Sequence, residues 1–214
     1  MTRATRPKGG GGAGRVVAGS ARGIRLVAAG PDTRPLGDRV KETCFAILEP
    51  DLAGAAFLDL FAGSGAAGIE ALSRGAARVV FVERDRAAIA AIEDNLRRTR
   101  LAGERAVVLR ADAPGWLVTD GPAAGPFDLA FVDPPYDDPA ALNAALRRLG
   151  DPAVAGRLLA TGGRVVAKHA RRDTPPPTVG LLASERERAF GLTILTFYRA
   201  APPPGHEEPG QEDR

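Results

Sequence analysis

Four consecutive residues, Asp133-Pro134-Pro135-Tyr136, follow the apolar run FDLAFV and set a carboxylate, two rigid residues and an aromatic ring side by side. Such a set suits an amine that is a poor nucleophile because its lone pair is delocalised into a heterocycle. Hydrogen bonds from that NH2 to the Asp133 carboxylate and the Pro134 carbonyl favour a pyramidal nitrogen with a free lone pair. The prolines fix the geometry, and Tyr136 offers a face on which a flipped-out planar base stacks. Hydride transfer needs none of this. A second signal is Gly63-Ser64-Gly65-Ala66-Ala67-Gly68, a G-x-G-x-x-G directly after the apolar run AAFLDLF, with Glu83 standing 20 residues beyond Gly63. Glycines let the backbone approach a ligand closely, and an acidic residue at this distance can hold both hydroxyls of a ribose. The loop therefore predicts a nucleoside cofactor, without separating NAD from S-adenosylmethionine.

These residues need a frame, and the pattern predicts one. Apolar strands at 55–61, 77–83, 105–111 and 127–133 alternate with the helix of the glycine loop, a helix over 86–99 and a short helix around Trp116. Continuous apolar strands between amphipathic helices imply a mostly parallel sheet covered on both faces, a doubly wound α/β fold that binds ligands at the carboxyl ends of its strands. A strand at 162–170 and two more, near 180–188 and 192–199, have no helical pattern between the last pair, so an antiparallel hairpin is expected to close the sheet. Ahead of it all, RVVAGSARGIRLVA (15–28) reads as a small hairpin with basic exposed positions. Asp38 then has the side chain to cap a helix that Pro50 ends. Residues 1–14 and 201–214 have the composition of disordered tails.

Composition removes several classes of function. The chain has 214 residues with one Cys and two His, which allows one catalytic-size domain with a small appendage and gives no disulfide and no clustered metal ligands. No apolar run reaches the ~18 residues of a membrane span, and the basic N-terminus lacks the apolar stretch of a secretory signal, so a cytoplasmic protein is expected. Residues 1–50 carry nine basic side chains against four acidic ones, a local charge of +5 within an overall +3. A basic segment of this kind fits a phosphate-backbone partner.

FLDLFAGSGAAGIEALSRGA, FVERD and FVDPPY together resemble an S-adenosylmethionine-dependent amino-methyltransferase of Rossmann-like class I fold, with a seven-stranded sheet. With RVVAGSARGIRL and RPLGDRVKE added, the chain from Arg15 to Tyr198 is similar to the bacterial 16S rRNA (guanine-N2)-methyltransferases of the RsmD type. The resemblance implies that Asp59, Phe61, Ala62, Gly63, Ser64, Gly65 and Gly68 hold the methionine and ribose of S-adenosylmethionine. Glu83 would take the ribose hydroxyls, and Asp112 with the backbone at Ala113 the adenine. Asp133, Pro134, Pro135 and Tyr136 would hold the guanine. It places Arg34 and Arg39 near phosphate or cofactor, while Arg15, Arg22 and Arg25 of the basic hairpin are expected to grip RNA. The implied organisation is a basic tail (1–14), an RNA-binding extension (15–50), a methyltransferase domain (51–200) and a second tail (201–214). The partner would be 16S rRNA in an assembled or assembling small ribosomal subunit, met by a monomer without metal. Leu36 and Gly37 stand where the family usually has two threonines.

Two alternatives stay open on the residues alone. A DNA adenine or cytosine amino-methyltransferase would share the Asp133–Tyr136 device, but such enzymes need a separate recognition region and only residues 1–50 remain for one. A non-catalytic nucleotide- or RNA-binding module would have no use for Asp133 and Tyr136. A nicotinamide oxidoreductase is more distant than either.

Overall fold

The computed structural model describes residues 14–30 and 36–202. Arg34 and the terminal segments 1–13 and 203–214 lie outside the described residues, and with them nearly all of both expected tails. The apolar runs form β1 (Ala56–Leu60), β2 (Arg78–Glu83), β3 (Ala106–Arg110), β4 (Phe127–Val132) and β5 (Leu159–Ala170), all parallel. β6 (Thr178–Val179), β7 (Leu182–Phe190) and β8 (Thr193–Ala200) extend the sheet antiparallel, in the order β3-β2-β1-β4-β5-β8-β7-β6. Among the described residues the sheet thus has eight strands where seven were expected. The extra one is the two-residue β6, which the Pro175–Pro177 run delivers in extended form against the edge of β7.

Alternate residues of the central strands enter two separate cores. Phe57, Val79, Phe81, Leu129 and Phe131 face one way, against α1 (Asp38–Leu52), α2 (Ala66–Ser73) and α3 (Arg86–Thr99). Leu58, Leu60, Val80, Val82, Ala130 and Val132 face the other, toward α4 (Ala113–Val118), α5 (Gly121–Ala124), α6 (Pro139–Leu149) and α7 (Ala155–Leu158). Two covered faces are what continuous apolar strands require. From β1 the chain winds outward through β2 and β3, and then returns to β4 on the opposite side. β1 and β4 are neighbours, so the crevice between their carboxyl ends is the switch point of the sheet.

Three local expectations need correction. Asp38 does not cap α1; Gly37 occupies the cap with no side-chain hydrogen bond, and the Asp38 carboxylate instead pairs with Arg15 Nε at 2.9 Å. Pro50 does not end α1, which runs on to Leu52, because a proline in the last turn forfeits a single backbone bond while Leu52 gains a fully packed site. The basic segment is not a regular hairpin. One antiparallel bridge joins Arg15 to Arg25, and the amides of Val16, Gly23 and Leu26 bond across the segment to the carbonyls of Ile24, Val16 and Gly14, while other amides find partners on the helices. Val17 and Ala18 donate to the Glu70 carboxylate at 2.8 and 2.9 Å, Ala21 donates to Ser73 Oγ at 2.9 Å, and Val27 donates to Asn95 Oδ1 at 2.8 Å. Val16, Ala21 and Leu26 enter the same core as α1, α2 and α3.

Candidate active site

The crevice is built from the ends of β1, β2, β4 and β5. Leu60 of β1 lies in register with Val132 of β4, so the glycine loop and Asp133 leave the sheet at one level, and the Asp133 amide still donates to the Leu60 carbonyl at 3.3 Å. Phe61 turns the chain with φ 58°, a left-handed conformation that costs a non-glycine residue about 1–3 kcal/mol and tends to occur at functional sites. Gly65, at φ 75°, opens α2. Gly68 lies so close to β2 that an added Cβ would meet the Phe81 ring at 2.3 Å; this contact lets α2 sit down on the sheet. Its amide donates to Asp59 Oδ2 at 2.8 Å, which ties the first turn of α2 to the end of β1. Burial pushes the Asp59 carboxyl well above the usual range; the Gly68 amide counteracts this, and the nearby Asp133 and Glu83 charges reinforce it.

Glu83 fastens the other side of the loop. Its Oε2 accepts the Gly63 amide at 2.8 Å, while Oε1 accepts the amides of Arg84 and Asp85 at 2.8 and 2.9 Å. Asn95 completes the support, donating to the Ser64 carbonyl at 2.9 Å from within the core. The cavity enclosed here measures about 760 Å³, within the roughly 300–1,000 Å³ of small-molecule sites. Asp59, Phe61, Ala62, Gly63, Ser64, Glu83 and Ala113 line it on one side, and Asp133 through Tyr136 on the other. The donor set suits an adenosyl cofactor, combining loop amides, a fixed carboxylate with lone pairs to spare, and an apolar floor.

Not every expected residue reaches the cavity. Gly65 and Gly68 act beneath it as backbone supports. Asp112 is exposed and caps α4 by accepting the Gly115 amide at 3.2 Å, whereas its neighbours Ala111 and Ala113 form the wall. Arg15, Arg22, Arg25 and Arg39 are exposed on the N-terminal segment and α1, away from the cavity wall. Leu36 is buried and contributes an apolar patch to the wall.

Lys168 is the residue that sequence reasoning missed. Its Nζ lies 2.6 Å from Asp133 Oδ1 and 4.6 Å from the centroid of the Tyr136 ring, and the Tyr136 hydroxyl is 2.7 Å from Thr193 Oγ1. Burial pushes the Asp133 carboxyl up and the Lys168 ammonium pulls it part of the way back. Burial works to lower Lys168, but the Asp133 carboxylate outweighs it and holds the ammonium above the ordinary lysine range. The available signal was a lysine within the apolar run RVVAKHA. Because Val132 pairs with Ala167, the next residues on the two strands, Asp133 and Lys168, come level.

Residues 14–199 match the protein family described as Conserved hypothetical protein 95. The chain belongs to this family, that of RsmD. RsmD-type proteins are S-adenosylmethionine-dependent methyltransferases, so the protein is an enzyme and this is its cofactor class. The chain is 40% identical over 186 residues to YlbH of Bacillus subtilis, a candidate rRNA methyltransferase, spanning 86% of this chain and 98% of that one. It is 42% identical over 123 residues to ribosomal RNA small subunit methyltransferase D of Escherichia coli, spanning 57% of this chain and 60% of the relative. Among solved structures, the candidate methyltransferase yhhF of Escherichia coli superposes with a TM-score of 0.75 at 32% identity, covering 87% of this chain and 97% of that one. Among the described residues no helix is long and apolar enough to cross a membrane.

Proposed function

We propose that this protein transfers the methyl group of S-adenosylmethionine to the exocyclic N2 of a guanine in 16S rRNA, acting in the cytoplasm as a monomer on an assembled or assembling small subunit. The observation that carries this reading is the meeting of Asp133–Tyr136 with the glycine loop across one cavity. A name of a relative, ribosomal RNA small subunit methyltransferase D, supports the choice of RNA. The cofactor supplies an electrophilic methyl on a sulfonium centre.

The protein's own groups do the rest. The loop from Phe61 to Gly68, with Asp59 behind it, seats the methionine and ribose; Glu83 receives the ribose hydroxyls through lone pairs its three amide donors leave open. The Ala113 backbone addresses the adenine from the start of α4, which the Asp112 cap holds in place. Asp133 accepts from the target amine through Oδ2, since Lys168 occupies Oδ1. The Pro134 carbonyl accepts the second N–H, and the Tyr136 ring supports the base. The nitrogen then presents its lone pair to the methyl with no covalent bond to the enzyme.

Residues 51–200 are read as the methyltransferase domain and 15–50 as the extension that grips RNA. Arg15 and Arg25 oppose one another in the antiparallel bridge; Asp38 already lies beside Arg15, and further anions beside Arg25 would offset the remaining like-charge repulsion. A phosphate backbone provides such anions, and Arg22, Arg34 and Arg39 would add to the grip. The test is methylation of small subunits and of naked 16S rRNA, with nucleoside mass spectrometry of the product. N2-methylguanosine is expected, and a methyl on a ring carbon or on another base overturns the reading. Asp133→Asn puts a donor in front of the substrate NH2, and about a 100-fold loss of turnover is expected with cofactor affinity nearly intact.

A further inference from the structure

Asp133 is a strong acceptor while it is ionised; protonation turns one of its oxygens into an O–H donor and leaves only the weaker carbonyl oxygen to accept. Its surroundings oppose ionisation. Its side chain is 23% exposed, and burial pushes its carboxyl up; three other acidic side chains, Asp59 from β1, Glu83 from β2 and Asp137 from its own loop, line the same cavity. On its own loop stand Tyr136 and Asp137; the remaining charged groups on the wall are Arg84, Arg172 and Lys168. Of these cations only Lys168 touches Asp133, from a side chain that is itself 10% exposed. The same ammonium lies over the Tyr136 ring, so one buried charge contacts both side chains that are to hold the base. The Tyr136 hydroxyl is held by Thr193 Oγ1 of β8, a strand that pairs directly with β5.

We infer that Lys168 is a positioning residue: it keeps Asp133 ionised, turns Oδ2 toward the target amine and steadies one face of Tyr136, leaving the other for the base. This rests on the reading of Asp133 as the amine acceptor. A lysine placed only to fill space would have no need to bury its charge beside a carboxylate. Where the ammonium is removed, burial acts on Asp133 unopposed and its carboxyl moves further up. The acceptor is then weakened at low pH and regains its strength as pH rises.

The experiment is the pH–rate profile of kcat/KM for small-subunit methylation by wild type, Lys168→Met, Lys168→Gln, Lys168→Arg and Asp133→Asn, with calorimetry of S-adenosylhomocysteine to verify each cofactor site. Both neutral variants are expected to move the acid limb to higher pH by at least about one unit, with roughly a tenfold loss at neutral pH that diminishes in alkaline buffer. Lys168→Arg is expected to keep the limb at its wild-type position. Cofactor affinity is expected to stay within about twofold throughout. An acid limb that does not move in the neutral variants overturns the inference, even if their rates fall uniformly. If Asp133→Asn keeps near-normal turnover, the underlying reading of Asp133 fails first, and the inference with it; the two failures are distinguishable because they appear in different variants.

Discussion

Tyr136 is held by two different parts of its side chain, the ring under Lys168 and the hydroxyl against Thr193. Substitutions separate the two. Tyr136→Ala removes the stacking platform and is expected to cost about 1–3 kcal/mol in kcat/KM, roughly a 5- to 150-fold loss. Tyr136→Phe keeps the platform and gives up one hydrogen bond, worth about 0.5–1.5 kcal/mol, so its loss is expected to stay near tenfold or below. Steady-state kinetics on small subunits checks both. The other reactive side chain, Cys44, is fully buried on the packed face of α1, and burial pushes its thiol upward, away from the thiolate that a nucleophile would need. Cys44→Ala is expected to retain wild-type turnover with about 1 kcal/mol less stability, read by methylation assay and chemical denaturation. A dead Cys44→Ala enzyme that is still folded would point to methylation through a covalent adduct.

At the scale of elements, the glycine loop and the Asp133–Tyr136 turn were legible because each is a contiguous run whose chemistry depends on local spacing. Glu83 was legible for a similar reason, ending the strand after the loop. Lys168 was not, since its role arises from the register between β4 and β5, which no local pattern in the sequence encodes. The expected hairpin is present only in part. Its arms pair through Val16, Gly23 and Leu26, but Val17, Ala18, Ala21 and Val27 donate to Glu70, Ser73 and Asn95, 52 to 68 residues away. Gly68 shows how an element can serve the site without touching it. Gly68→Ala places a methyl 2.3 Å from the Phe81 ring, so α2 must lift from β2, and the hydrogen bond to Asp59 is strained. A stability loss of about 1–3 kcal/mol is expected, together with weaker binding of S-adenosylhomocysteine. Thermal melting and calorimetry measure the two effects on one sample.

For the whole molecule, charge and packing assign the N-terminal segment two tasks at once. Its outward arginines give a basic surface, whereas its backbone and apolar side chains belong to the core of α1, α2 and α3. Replacing Arg15, Arg22 and Arg25 together by Ala is expected to weaken RNA binding and flatten its salt dependence by about two in the log–log slope. The third arginine counts for less because Asp38 already faces Arg15. Filter binding across a salt series checks this, and an unaltered slope would return these arginines to ordinary solvated surface. The inward side has a different consequence, centred on Asn95. One amide side chain accepts the Val27 N–H, donates to the Val27 carbonyl and donates to the Ser64 carbonyl, so a single residue of α3 closes hydrogen bonds with both the extension and the cofactor loop. The extension is therefore not a transferable module. A chimera that grafts it onto another sheet, or a truncation that begins at the first strand, leaves the Asn95 amide partly unmatched beside the glycine loop and is expected to damage cofactor binding before RNA is ever presented.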